Sequence, residues 1–176
     1  LYTVIDNKYS GYIVISDKIK EDSYKMIESL KKNDVSKIVM LTGDVENISK
    51  SISDELGLDE YYAELLPQDK VSIAEKLMNE KNGNLLFIGD GINDAPVLAL
   101  ADIGVSMGSL GSDAAIEASD IVIMTDEPSK IGEAIKISKK TMRIVRENII
   151  FAISIKIAVL ILSLLGIATM WSAVFA

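Results

Sequence analysis

Hydrophobic and polar positions change period repeatedly along this chain. GYIVIS (11–16), KIVMLT (37–42), AELL (63–66), NLLFIGD (84–90), DIGVSM (102–107) and DIVIM (120–124) are short apolar runs, the pattern of strands buried in a sheet. Helical patterns alternate with them. EDSYKMIESLKK (21–32) sets Met26, Ile27 and Leu30 on one face, Gly57 ends a helix near 46–56, and PQDKVSIAEKLMNEK (67–81) carries Pro67 in its first turn. SDAAIEAS adds a helical turn or two between the last strands. This rhythm predicts an α/β fold, a parallel sheet with helices on both faces. Ligands of such sheets bind at the carboxyl ends of the strands.

After residue 129 the pattern changes. NIIFAISIKIAVLILSLL (148–165) is long enough for a membrane-spanning helix, and Gly166 interrupts it. The ten residues 167–176 are too few to cross again and read as the start of a truncated second span. Lys136, Lys139, Lys140, Arg143 and Arg146 precede the span, so the positive-inside rule places residues 1–147 in the cytoplasm and the chain in a membrane. The chain starts at Leu1 and stops inside an apolar run, so both ends read as cut.

Charge sharpens the division. The net charge of −8 combines 11 basic and 24 acidic side chains in residues 1–129, six basic and two acidic in 130–147, and only Lys156 beyond. An acidic body, a basic neck and an apolar tail argue against nucleic acid as a partner and for membrane lipid. There is no cysteine and no histidine, which excludes thiolate nucleophiles, histidine metal sites and serine–histidine catalysis.

The chemistry concentrates in GDGINDAP (89–96). Asp90, at a strand tip, suits Mg²⁺, which takes one or two carboxylates with water and phosphate oxygens. Gly89 and Gly91 permit a tight turn, and Asn93 or Asp94 can cap the helix that Pro96 begins. A capped turn alone would account for a bare DG or ND pair. TGD (42–44) offers the Thr42 hydroxyl and the Gly43 and Asp44 amides to a phosphate; on its own it is an ordinary strand-to-helix turn. Lys70, on its own, reads as a solvated first-turn lysine. In this order the three motifs make a phosphoryl-transfer site lacking only its nucleophile, an aspartate at the end of the sheet's first strand.

TGD, LLPQDK and GDGINDAPVLALADIGVSMG in this order resemble the P-type cation-pumping ATPases, whose phosphorylation domain has the haloacid-dehalogenase-like fold. The resemblance covers nearly the whole chain. It implies that Asp90 ligates Mg²⁺, that Asn93 and Asp94 hold the phosphorylation site together, and that Thr42 and Lys70 contact the phosphoryl group. Gly43 and Asp44 would shape that loop. GYIVISDKIKEDS resembles the return from the nucleotide-binding domain, with Asp17 at the hinge. The family's phosphorylated aspartate, in a DKTGT motif, is absent here, as is nearly all of the nucleotide-binding domain.

The implied organisation is the end of the nucleotide-binding domain (1–16), the phosphorylation domain without its first motif (17–129), a basic juxtamembrane helix (130–147), a transmembrane helix (148–166) and the start of another (167–176). Lys156 lies about eight residues, roughly 12 Å, into the span, where a charge is costly and marks a functional candidate. Snorkelling is the plain alternative. NIIFAISIKIAVL resembles the zinc, cadmium and lead exporters, in which such a lysine works with an aspartate of the next helix at the transported-metal site. The resemblance implies the C-terminal part of an ATP-driven metal exporter that needs ATP, Mg²⁺, a transported divalent metal and the remainder of the pump. This segment alone would be inactive. The alternatives are a non-catalytic membrane-tethered partner of a full pump and a free-standing phosphatase of the same fold.

Overall fold

A computed structural model of the chain describes residues 2–6, 8–12, 18–80, 83–89, 91–108 and 113–166, with the side chains of Tyr2 and Ile92 left aside. Two compact units divide between Lys130 and Ile131. The first opens with an antiparallel hairpin, β1 (Tyr2–Ile5) and β2 (Lys8–Tyr12), whose register slips between Thr3 and Val4. Only Gly11 and Tyr12 of the expected strand 11–16 lie in β2; residues 13–17, Asp17 among them, fall outside the described residues.

The α/β body follows as α1 (Glu21–Lys32), β3 (Val39–Leu41), α2 (Glu46–Leu56), β4 (Glu60–Tyr62), α3 (Pro67–Glu80), β5 (Leu86–Gly89), α4 (Ala95–Leu100), β6 (Ile103–Met107), α5 (Asp113–Glu117) and β7 (Ile121–Ile123). Every strand pair in this body is parallel. β3 pairs with β4, and β5, β6 and β7 form a second ladder in that order. Among the described residues no strand joins the two ladders, so β3 and β5 each keep one open edge.

Periodicity placed most of these elements, and pairing corrected one. AELL is not a strand. The strand is Glu60–Tyr62, in register with Val39–Leu41, and residues 63–66 form a loop. The turn-off occurs at Glu64, held in the left-handed region at φ 55°, a conformation costly for a residue with a Cβ.

One device recurs at the amino-terminal edge of the strands. Asp59, just before β4, accepts a hydrogen bond from the Ile38 amide at 2.7 Å. Asp102, before β6, accepts from the Leu85 amide at 2.6 Å. Asp120, before β7, accepts from the Gly104 amide at 2.8 Å and returns its own amide to the Gly104 carbonyl at 2.9 Å. Each carboxylate satisfies a backbone donor that the ladder leaves free and so pins the register of a parallel pair.

The core is small and local. Among the described residues of the first unit, Ile27 and Leu30 of α1, Ala74 of α3, Val97 and Leu98 of α4, Val105 of β6 and Ala115 of α5 are its buried apolar side chains. α4 lies against β6 so closely that a Cβ on Gly104 would stand 2.4 Å from the Leu98 carbonyl oxygen. α2 buries Ser49 and Ser53 and closes on Gly57, left-handed at φ 63°, where Leu58 donates back to the Ser53 carbonyl. After β7, the Ser129 amide donates to Asp22 at 2.8 Å and Lys20 pairs with Asp126, tying that segment to the first turn of α1.

The second unit contains α6 (Lys130–Leu164) from its second residue onward. The basic neck and the apolar span are one continuous helix, about 52 Å long at 1.5 Å per residue. It is long and apolar enough to cross a membrane. Gly166, at φ 71°, follows its end, and its amide bonds the Ser163 carbonyl at 3.0 Å. The expected second span, 167–176, lies outside the described residues.

Candidate functional site

Thr42 and Asp44 stand in the loop that leaves β3. The Thr42 amide extends the β3–β4 ladder to the Tyr62 carbonyl at 3.0 Å. Its hydroxyl donates to Asp44 Oδ2 at 2.9 Å and accepts from the Asp44 amide at 3.1 Å. This closed ring holds the hydroxyl at the strand end with Asp44 exposed beside it.

A second loop fastens the first. Beyond β4, Glu64 donates its amide to the Asp44 carbonyl at 2.9 Å, and Leu65 donates to the Thr42 carbonyl at 3.0 Å. Gly43 fits beneath, since a Cβ there would come within 3.3 Å of the Leu65 carbonyl oxygen. The αL backbone of Glu64 is what turns this loop back. Sequence reasoning missed that residue, because a left-handed glutamate leaves no compositional signal.

The same loop launches α3. Pro67 opens the helix, and Asp69 accepts from the Leu66 amide at 2.9 Å, half of a capping box. Lys70 thereby projects from the first turn, and its Nζ reaches Asp94 Oδ1 at 2.8 Å. Their side chains are only 17 % and 12 % exposed. Lys70 is therefore not the solvated lysine that its position alone suggests. The pair neutralises one of the two aspartates of GDGIND, and a largely buried charge pair of this kind depends on both members.

Asp94 heads α4 but caps nothing with its side chain, contrary to the capping role open to it in the sequence. Its carboxylate leans on the end of β5 instead, where Gly89 makes room. A Cβ on Gly89 would lie 2.7 Å from Asp94 Cβ and 3.1 Å from Cγ. Asn93 is exposed in the short 3-10 turn Ile92–Asp94. Asp90 lies outside the described residues.

The structure thus gathers Thr42, Gly43 and Asp44 into one loop and joins Lys70 to Asp94. Leu65 and the start of α3 connect the two groups. Lys156 is exposed on α6, in the other unit. Among the described residues no three Asp, Glu, His or Cys side chains converge as a metal cage. The donors present are carboxylate, amide and hydroxyl oxygens, the hard ligands that suit Mg²⁺. Asp94 has one oxygen engaged by Lys70.

Parallel ladders with a hydroxyl loop, a lysine and a GDGIND turn at the strand ends define a class of phosphoryl-handling α/β proteins. Residues 2–102 match the family of haloacid dehalogenase-like hydrolases, and this chain belongs to it. It is 51 % identical over 177 aligned residues to the zinc-transporting ATPase of Synechocystis sp., covering 100 % of this chain and 24 % of that protein. It is 54 % identical to the cadmium, zinc and cobalt-transporting ATPase of Bacillus subtilis, covering 99 % of this chain and 25 % of that protein. The solved catalytic domain of the CPx-ATPase CopB-B superposes with a TM-score of 0.61 at 41 % identity, over 69 % of this chain and 47 % of that one. The chain spans about a quarter of the length of the curated relatives it matches.

Proposed function

We propose that this chain is the C-terminal part of an ATP-driven pump that exports divalent heavy-metal cations, zinc, cadmium or lead. The observation that carries the reading is the Lys70–Asp94 pair, held in a Gly89 notch beside a clamped Thr42–Asp44 loop. The pump relatives reported above and the apolar helix α6 support it.

In this reading, Thr42 and the Gly43 amide bind phosphoryl oxygens, and Lys70 shares its charge between Asp94 and the phosphoryl group. Asp44 holds the Thr42 hydroxyl in place until the phosphoryl group arrives. Asn93 steadies the turn. Asp90 would hold Mg²⁺, with Asp94 behind it, and the chemistry so supplied would be neutralisation of charge on the phosphoryl oxygens. The phosphoryl acceptor is an aspartate on a strand supplied by the remainder of the pump. The open edges of β3 and β5 are where a further parallel strand would pair. ATP enters through the nucleotide-binding domain, Asp17 serves as the hinge, and Lys156 contributes to the transported-metal site with a residue of the next helix. Residues 1–147 face the cytoplasm.

The test is metal-stimulated ATP hydrolysis. The intact pump should hydrolyse ATP when given zinc or cadmium and lose that activity in Asp90→Ala, while the purified 176-residue chain releases no phosphate. ATP-dependent phosphate release from the purified chain, lost in Asp90→Ala, would overturn the reading. Turnover of a simple phosphate ester by the chain would point to the free-standing phosphatase instead.

A further inference from the structure

We infer that the basic stripe at the start of α6 is a recognition site for anionic phospholipid headgroups. The inference rests on the reading of α6 as a membrane-crossing helix and goes beyond it, because an orienting charge needs only to precede the span. These charges share one face. At 100° per residue, Lys136, Lys139, Lys140, Arg143 and Arg146 fall within an arc of about 120°. Ile137, Thr141, Ile144 and Val145 lie outside it. All five cations are exposed on a helix that runs without a break into the apolar segment.

That continuity fixes their depth. Measured from Asn148 at 1.5 Å per residue, Arg146 and Arg143 stand about 3 and 8 Å from the apolar segment, and Lys140 and Lys139 about 12 and 14 Å. The headgroup layer begins where the apolar core ends, and screening in physiological salt acts over about 8 Å. The two arginines therefore sit at phosphate level, where a planar guanidinium can donate to two oxygens at once. The lysines reach the same layer with long stems.

One acidic residue lies inside the arc. Glu147 accepts from Arg143 Nε at 2.9 Å, both side chains being exposed. It leaves the stripe a net four positive charges, and it engages only one of the Arg143 donors. Residues 1–129, with a net charge of −13, would be repelled by an anionic surface, so attraction is confined to the stripe.

The full chain in lipid nanodiscs provides the test. Both faces of a nanodisc are open, so helix orientation does not enter. The chain contains no cysteine, so Thr141→Cys gives a single labelling site outside the stripe. Quenching of a fluorophore there by headgroup-spin-labelled phosphatidylglycerol is compared with quenching by labelled phosphatidylcholine. The anionic lipid should be enriched about three- to ten-fold over its bulk fraction at low salt, and the excess should fall towards unity near 1 M salt.

The quadruple change Lys139→Gln, Lys140→Gln, Arg143→Gln, Arg146→Gln should abolish the enrichment. Glu147→Gln should increase it. Equal enrichment in the parent and the quadruple variant would overturn the proposal. So would enrichment in the isolated chain that disappears in the intact pump, which would assign the stripe to a protein surface. A label at Ile157→Cys that is quenched only from water would instead overturn the membrane reading beneath it.

Discussion

The two edges of the parallel ladders use the same residue type for opposite purposes. At the amino-terminal edge, Asp59, Asp102 and Asp120 each accept a backbone amide from the neighbouring strand. At the carboxyl-terminal edge, Asp44 and Asp94 are held by a threonine hydroxyl and a lysine. A carboxylate given a backbone amide fixes a register. A carboxylate given a side chain that can exchange partners remains available for chemistry. The strand-edge aspartates are therefore two populations, and substitutions should separate them.

The largest effect belongs to the carboxyl-terminal edge. In the intact pump, Lys70→Ala should reduce phosphoenzyme formation about 10²- to 10³-fold, the cost of losing one fixed donor to a developing charge. Rapid quench of the phosphorylated intermediate measures it. Lys70→Arg restoring full rate would show that any cation suffices and would weaken the geometric account.

Next come the two glycines of close approach. Gly104→Ala sets a Cβ against the Leu98 backbone, which cannot swing aside, and should cost about 3 kcal/mol. Gly89→Ala meets the Asp94 side chain and should cost less stability, about 1–2 kcal/mol. It should cost more phosphorylation, because Asp94 is displaced from Lys70. Chemical unfolding and phosphorylation assays on both variants test this crossing of effects; a parallel loss in both assays would remove the distinction.

Asp120→Ala should lose about 1–2 kcal/mol by orphaning the Gly104 amide, and Asp120→Asn, which still offers an acceptor oxygen, should recover most of it. Neither should alter phosphorylation in pump that remains folded. The resulting shift for a chain of this size is a few degrees, on the order of 2–4 °C per kcal/mol.

The smallest effect is titration at the α1 turn. The Ser129 amide bonded to Asp22 holds that carboxyl below its ordinary value of 3.8. The unfolded chain therefore binds this proton more readily, so the contribution is complete above about pH 4 and is lost as pH falls through the lowered folded value. Lys37, raised by its hydrogen bond to Glu60, acts with the opposite sign and loses its contribution only in strong alkali, above 10.5. Unfolding midpoints of the parent and Asp22→Asn should converge as the pH drops below 4.

Much of this arrangement is visible in residues read in order. The apolar runs at 37–42, 84–90, 102–107 and 120–124 announce strands because short runs rich in β-branched and other apolar residues favour a pleated surface. Of the strands they form, only Ile103–Met107 is mostly buried, and Ile121 is exposed. Pro67 and Gly57 mark helix ends because each has a backbone preference that its neighbours cannot override. GDGIND and TGD mark the strand ends for the same reason. The misplaced strand is equally instructive. AELL and EYY are both short and semi-apolar, and only pairing with Val39–Leu41 decides between them. The clamping aspartates read in sequence as ordinary strand residues, because their partners are amides 16 to 21 positions away.

What the sequence settled by itself is therefore local and periodic: the alternation of strands and helices, the acidic body, the basic neck, the apolar helix and the turn chemistry of the motifs. These follow from backbone preferences and from solvent, which act on each segment alone. The tertiary structure decided which charges meet. It paired Lys70 with Asp94, turned Glu64 left-handed to clamp the Thr42 loop, and gave Asp59, Asp102 and Asp120 to the strand registers. Those outcomes depend on distances between residues remote in the chain, and no local preference encodes a distance.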